Sequence, residues 1–333
     1  MKHANISIFV AHVGCKHRCS FCDQNTITGT ASLPTAADIA EAVMIAQSSK
    51  NYSPKATEIA FFGGSFTAID KEYMTELLDA AYPYVEQGLV KGIRVSTRPD
   101  AISPEILEFV KSKGVTAIEL GAQSMDDEVL ALNLRGHKAE DVEMAARLIK
   151  QSGIELGLQM MTGLYGSTPE KDVETAKKII ALSPKTVRIY PTIILEGTLL
   201  GTLYKKGKYD TYSLNKTVSL SADLLDMFEK ADIKVIRLGL HDIEKEKYLS
   251  GPWHPAFREL VDSRRYLKMA LEKLDKGGKY NIYVNPSAIS KMTGQSRSNI
   301  AELSKRGFIC KVLPDKNIKE MQVKVVKTEG NSK

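Results

Sequence analysis

The chain has 333 residues, 43% hydrophobic and 26% charged, with a net charge of +6, a globular balance long enough for one large core and a small appendage. No run approaches the ~20 apolar residues of a membrane span, and the N-terminal residues lack a secretory pattern. Four cysteines in 333 residues do not make a disulfide scaffold, so the expected compartment is the cytoplasm.

The apolar run Ile6–Val10 predicts a first strand, followed by the cysteine-rich stretch 13–23. Helical spacing covers Thr35–Ser49, with Thr35 as N-cap. Glu58–Phe62 reads as a buried strand running into Gly63-Gly64-Ser65-Phe66-Thr67. Helix Lys71–Gln87, strand Gly92–Thr97, helix Ser103–Lys113, strand Thr116–Leu120, helix Glu140–Ser152, strand Glu155–Met161, helix Pro169–Leu182 and strand Thr186–Tyr190 follow. Strand and helix alternate over six units, which calls for a parallel sheet wrapped by helices, as a partial barrel or a doubly wound sheet. Beyond Leu200 the rhythm weakens: a helix over Leu214–Lys230, a strand over Ile233–Arg237 and a break at Gly251–Pro255. Helix Phe257–Leu274, strand Tyr280–Val284, helix Ser296–Lys305 and strand Met321–Val326 complete the chain. The predicted division is a core over 1–249 and a small α/β extension over 250–333.

Glycine and polar punctuation gathers after the strands, at the edge where parallel α/β sheets carry their chemistry. The first of these loops reads Cys15-Lys-His-Arg-Cys19-Ser-Phe-Cys22. Three thiols in this spacing converge on one soft metal centre. A four-iron cube takes four thiolates, and Cys310, 288 residues beyond Cys22, shows no pairing motif. A cube on this loop would therefore keep one iron open to a non-protein ligand. The rival is a zinc site that adds His12 or His17, although structural zinc usually draws on two well-separated ligand pairs.

Charge is uneven. Residues 264–333 carry 16 Lys/Arg against 6 Asp/Glu, a net of +10, which leaves −4 for the preceding 263 residues. A basic tail on a near-neutral body suits a polyanion, with RNA the first candidate, or simply a solvated surface. Within it, Pro286–Gly294 and Gln295–Leu303 read as two short helices about a glycine turn, a pattern similar to a nucleic-acid-binding helix pair.

With these residues placed, the chain resembles the radical S-adenosylmethionine superfamily, and more narrowly the radical domain of the Elongator catalytic-subunit family. The resemblance rests on the cysteine loop, Gly63-Gly64-Ser65-Phe66-Thr67, Glu119-Leu-Gly-Ala-Gln-Ser124, Arg135-Gly136-His137 and the segment from Tyr190 to Tyr209. It implies a partial (β/α)6 TIM-like barrel of the radical S-adenosylmethionine type with the basic extension appended. It also implies a [4Fe–4S] cluster on Cys15, Cys19 and Cys22, and S-adenosylmethionine held by Gly63, Gly64, Ser65, Ser96, Gln123, Arg135 and Gln159. No side chain stands out as acid, base or nucleophile.

The superfamily's Gly-Leu-Pro-Gly is Gly163-Leu-Tyr-Gly166 here, and the chain ends before an acetyltransferase domain would fit. The implied activity is reductive cleavage of S-adenosylmethionine to a 5′-deoxyadenosyl radical for RNA, chiefly tRNA, base modification. The implied partners are tRNA, a flavodoxin- or ferredoxin-like electron donor and a separate acyl-donor protein, with no membrane. The alternatives are a small-molecule oxidation similar to that of oxygen-independent coproporphyrinogen oxidases, and a non-catalytic metal-bearing RNA-binding subunit.

Overall fold

The structure, a computed structural model, describes residues 3–10, 14–15, 18–23, 33–240 and 243–328. Chain contacts divide it into two compact units, Met1–Ser213 with Met227–Trp253, and Leu214–Asp226 with His254–Lys333.

The first unit is a curled parallel half-barrel. Its strands are β1 (Ala4–Val10), β2 (Thr57–Gly63), β3 (Gly92–Thr97), β4 (Val115–Gln123), β5 (Glu155–Thr162), β6 (Thr186–Pro191) and β8 (Lys234–Leu238), seven in sequential order. The sequence pattern predicts six strand–helix units; Lys234–Leu238 adds a seventh parallel strand beside β6. The intervening helices are α1 (Ala36–Gln47), α2 (Lys71–Glu86), α3 (Pro104–Ser112), α4 (Asp127–Leu132), α5 (Ala139–Gln151) and α6 (Pro169–Ala181). α4 is absent from the sequence reading because its six residues are too few to display a helical period. A two-residue β7 (Ile194–Leu195) pairs antiparallel with β9 (Tyr248–Ser250), and α7 (Leu199–Lys205) lies between them in sequence.

Local chemistry sets the element ends. Thr35 and Asp38 close a reciprocal capping box on α1, and the Asp70 carboxylate accepts from the Glu72 and Tyr73 amides at the head of α2. At Gly92 a Cβ would stand 2.1 Å from Thr116 Oγ1, so glycine there lets β3 and β4 approach.

The strands are buried on both faces, as parallel sheets require. Ile59, Phe61, Ile93, Val95, Ile118 and Leu120 pack toward the helices and are fully buried. The opposite face, alternating by the strand period of two, is polar. Arg94 donates from Nε to Glu58 at 2.7 Å and from Nη2 to Glu155 at 2.9 Å. Arg188 donates from Nε and Nη2 to the two oxygens of Glu119, at 2.6 and 3.0 Å, and lies 4.6 Å over the Phe62 ring. Burial works against both guanidinium charges, but the carboxylates outweigh it for Arg94, and the Tyr190 hydroxyl joins Glu119 in doing so for Arg188; both pKa values end raised. A buried ion network thus replaces aliphatic packing inside the half-barrel.

The second unit contains the first part of α8 (Leu214–Lys230), then α9 (Phe257–Leu271), β10 (Gly278–Val284), α10 (Ile289–Thr293), α11 (Ser298–Lys305), β11 (Phe308–Pro314) and β12 (Val323–Lys327). The sheet order is β11-β10-β12, parallel on one side of β10 and antiparallel on the other. β11, which contains Cys310, is an additional strand; its residues Phe308-Ile-Cys-Lys-Val-Leu-Pro314 show no polar–apolar alternation, since Ile309 is exposed. The predicted helix from Ser296 begins instead at Ser298, because Ser296 and Arg297 take φ of 49° and 62°, outside the helical region.

Candidate functional site

The C-terminal edge of the half-barrel encloses a pocket of about 720 Å³, counting its open mouth. Cys15, Cys19, Cys22, Gly63, Gly64, Ser96, Gln123, Arg135 and Gln159 line it together, so nine of the ten residues expected from the sequence meet at one place. Ser65 does not line it. Its buried hydroxyl is spent on Thr97 Oγ1 at 2.9 Å and on accepting the Arg98 amide at 3.1 Å, so it braces the loop from behind.

The cysteine loop is positioned by contacts the sequence does not advertise. Gly14 has φ of 74°, and a Cβ on it would stand 2.4 Å from the Ser65 carbonyl oxygen; only glycine lets the cysteine loop lie against Gly63-Gly64-Ser65. Ser20 donates its hydroxyl to Asn133 Oδ1 at 2.7 Å and its amide to the Asn133 carbonyl at 3.1 Å. Asn133 is fully buried and donates onward to Val129 and Tyr165. Its place two residues before Arg135 was the available signal, but a lone Asn on a turn has too many local uses to be singled out. Thr97, Arg98, Gly121 and Phe21 also line the pocket and were not among the expected residues.

The polar side chains are poised rather than satisfied. Gln123 takes φ of 64° where β4 and β5 slip register between Gly121 and Gln123. Its Oε1 is buried without a partner. A strained, non-glycine backbone at a bulge that aims an orphan acceptor into a pocket is a signature of binding. Arg135 donates Nη1 to Cys19 Sγ at 3.0 Å and Nη2 to the Gly121 carbonyl at 2.5 Å, and its Nε is buried unpaired. Gln159 commits its amide nitrogen to Ser96 at 3.2 Å and Glu119 at 3.0 Å, which leaves its carbonyl oxygen for the pocket. Glu119 thereby joins the ion network to the pocket floor.

Cys15 and Cys22 resist ionisation. Burial, reinforced by Cys19 and Cys15, pushes the Cys22 thiol up to about 12. Burial and Cys19 raise Cys15, against the pull of Arg98 and Arg135. A cation is what such a triad lacks, because metal binding converts thiols to thiolates outright. Among the described residues no three His, Cys, Asp or Glu side chains are drawn together around a single ion. A cube spreads its ligands over separate irons, and three thiols lining one open pocket suit such a cluster. His12 and His17, the possible zinc partners, lie outside the described residues.

His137, next but one to Arg135, is 7% exposed. Burial, then the Arg135 charge, lower its pKa to about 4 against the pull of Asp100. The folded chain therefore leaves this imidazole neutral from pH 6.5 to about 4, where the unfolded chain protonates it. Stability from this group is present above pH 6.5 and is lost as pH falls to about 4, by at most about 3 kcal/mol. Asp172 opposes it. Burial raises that carboxyl to about 6, so its ionisation costs stability as pH rises from 3.8 to 6. His137→Asn should consequently gain in melting temperature relative to the parent on going from pH 7.5 to pH 5; an unchanged difference between the two proteins would remove His137 as the acid-sensitive group.

The comparisons with known proteins meet this geometry. The description Radical SAM superfamily matches residues 10–179, just over half of the 333 residues. The chain belongs to the radical S-adenosylmethionine superfamily. The description Radical_SAM C-terminal domain matches residues 184–268 of this radical S-adenosylmethionine enzyme. It is 29% identical over 187 residues to a tRNA uridine(34) acetyltransferase of Dehalococcoides mccartyi, covering 50% of this chain and 41% of that one. It is 31% identical over 233 residues to human Elongator complex protein 3, covering 64% and 42%. An uncharacterised protein of Methanocaldococcus jannaschii is 29% identical over 255 residues, covering 73% and 77%. The chain thus spans about two fifths of those two functionally named relatives (41% and 42%). The solved structure of an Elp3 from the archaeon Methanocaldococcus infernus shares the fold, with a TM-score of 0.65 at 23% identity over 83% of this chain and 64% of that one. Among the described residues no helix is long and apolar enough to cross a membrane.

Proposed function

We propose that this radical S-adenosylmethionine enzyme modifies a tRNA base. The observation that carries the reading is one pocket that joins three thiols to two glycines, the orphan Gln123 acceptor and the orphan Arg135 donor. The relatives named as tRNA uridine(34) acetyltransferases support the substrate class.

Cys15, Cys19 and Cys22 would hold a [4Fe–4S] cluster, and Gly63, Gly64, Ser96, Gln123, Arg135 and Gln159 would hold S-adenosylmethionine. When bound, the two supply a 5′-deoxyadenosyl radical by one-electron cleavage of the sulfonium. The chain positions them. Gly63 and Gly64 offer close backbone approach. Arg135 offers its unpaired Nε to a carboxylate as a charge-assisted bond. Gln123 and Gln159 offer carbonyl oxygens to hydroxyl or amine donors. Ser65 keeps its bracing place behind the loop. The barrel over 1–249 carries this chemistry and the extension over 250–333 meets the RNA. A flavodoxin- or ferredoxin-like protein supplies electrons in the cytoplasm, and a separate protein supplies any acyl group.

The test is anaerobic. The chain is reconstituted with iron and sulfide, given dithionite and S-adenosylmethionine, and 5′-deoxyadenosine is quantified with and without bulk tRNA. Cleavage stimulated by tRNA is the expected result. Cleavage indifferent to tRNA would overturn the substrate and favour a small molecule. No cleavage by a loaded chain would leave a metal-bearing binding protein.

A further inference from the structure

The three-stranded sheet of the second unit has one covered face and one open face. Tyr280, Ile282 and Val284 of β10 point into a core closed by Tyr266, Leu267, Met292 and Leu303 from the helices. The strand period of two sends positions 279, 281 and 283 the other way. By register, positions 309, 311 and 313 of β11 and positions 324 and 326 of β12 share that outward face. None of these eight belongs to the core.

The composition of the face is selective. Each strand contributes one lysine, Lys279, Lys311 and Lys324, and no Asp or Glu stands among the eight positions. All three lysines are exposed, and no ion pair or hydrogen bond engages their ammonium groups among the described residues. In register Lys324 pairs with Tyr283 and Lys311 with Asn281, while Lys279 stands opposite Ile309, so the cations run along the face past the ring. Ile309 and Val326 are 62% and 39% exposed, apolar surface left between the cations. Lysines on β11 and β12 alone would read as protection of sheet edges. That account does not cover Lys279 on the central strand, nor the exposed aliphatic residues beside it.

We propose that this face is a docking platform for single-stranded RNA, the lysines tracking phosphates and Tyr283 stacking a base. Aromatic surface inside a cationic, acid-free field is the chemistry that holds unpaired nucleotides without reading their sequence. The net charge of +10 over residues 264–333 complements a polyanion over the whole segment. The choice of RNA rests on the tRNA reading above; the location of the surface rests on the sheet alone.

The experiment measures binding of a short fluorescein-labelled single-stranded RNA of mixed sequence to the full chain by anisotropy across a salt series. It needs neither cluster nor cofactor. The variant Lys279→Gln/Lys311→Gln/Lys324→Gln is expected to bind at least about tenfold more weakly, with the slope of log affinity against log salt shallower by about 2, at ~0.7 per phosphate released. Tyr283→Ala should lose about tenfold while Tyr283→Phe stays within about twofold, because the ring and not the hydroxyl stacks. S-Adenosylmethionine cleavage without RNA should be unchanged in all three.

Unaltered affinity in the triple variant would overturn the platform and leave the tRNA reading standing. Equal affinity for a polyglutamate of matching charge would overturn it in favour of a general ion-exchange surface. Equal loss in Tyr283→Phe and Tyr283→Ala would overturn the stacking role. Absence of RNA binding by the parent would overturn the platform, whereas RNA binding with cleavage indifferent to tRNA would overturn only the substrate. If the triple variant melts early, the Tyr283 pair decides alone.

Discussion

Cys19→Ala is expected to give a folded chain that cannot be loaded. Among the described residues its thiol accepts from Arg135 at 3.0 Å, and the residue is half-buried, so truncation opens no core cavity. The cost falls on the metal. Two thiols cannot retain a cube that three hold with one iron open. Losing even an outer-shell partner of a metal site typically costs 10–100-fold, so loss of a ligand should reduce iron and sulfide content, and 5′-deoxyadenosine formed, at least about a hundredfold. The readouts are iron and sulfide content beside the melting temperature of the iron-free chain. Cys310→Ala, in the other unit, is the control and should load normally. Full iron content in Cys19→Ala would refute the ligand set; an early-melting apo chain would show that the thiol is structural.

Glu119→Leu should be the most damaging single substitution in the half-barrel. It removes the carboxylate gripped by Arg188 and approached by Arg94 Nη1 at 3.5 Å. Both guanidinium groups are buried. Arg94 keeps Glu58 and Glu155, but Arg188 loses both of its carboxylate bonds. Breaking one side of a buried pair typically costs ~3–5 kcal/mol, whereas replacing the whole pair by apolar groups can be nearly neutral. Glu119→Leu/Arg188→Met should therefore recover most of the loss, a coupling that urea unfolding and a double-mutant cycle would measure. A loss below about 1 kcal/mol in the single variant would show that water reaches the pair. Gln159 would also lose an anchor, so the recovered double variant should still bind S-adenosylmethionine more weakly than the parent. Equal binding would detach the network from the pocket.

The strand–helix rhythm was legible because every strand keeps apolar residues on its helix-facing side, as Ile59 and Phe61 do in Glu58–Phe62 and Val187 and Ile189 do in Thr186–Tyr190. The pocket was legible because its residues follow strands, where glycine and polar types interrupt that pattern. What stayed hidden depended on pairing across distance. Nothing near Arg94 in sequence announces Glu58, 36 residues away, or Glu155, 61 away. Ser65 was placed in the pocket because it shares a motif with Gly63 and Gly64; a hydroxyl's direction is set by Thr97, which the motif does not contain. β11 escaped because its outward face carries Ile309 and Leu313 beside Lys311, so its alternation in burial is not written in the sequence as apolar against polar.

Raised thiol pKa values have a bearing on the life of the newly made chain. Oxidants and electrophiles react with thiolates far faster than with thiols. With Cys15 raised and Cys22 pushed up to about 12, these two positions stay protonated, and chemically quiet, through the interval between synthesis and iron delivery. The same protonation makes assembly release protons, so loading should quicken as the surroundings turn alkaline. The burial that makes the site hungry for a cation also preserves it until one arrives.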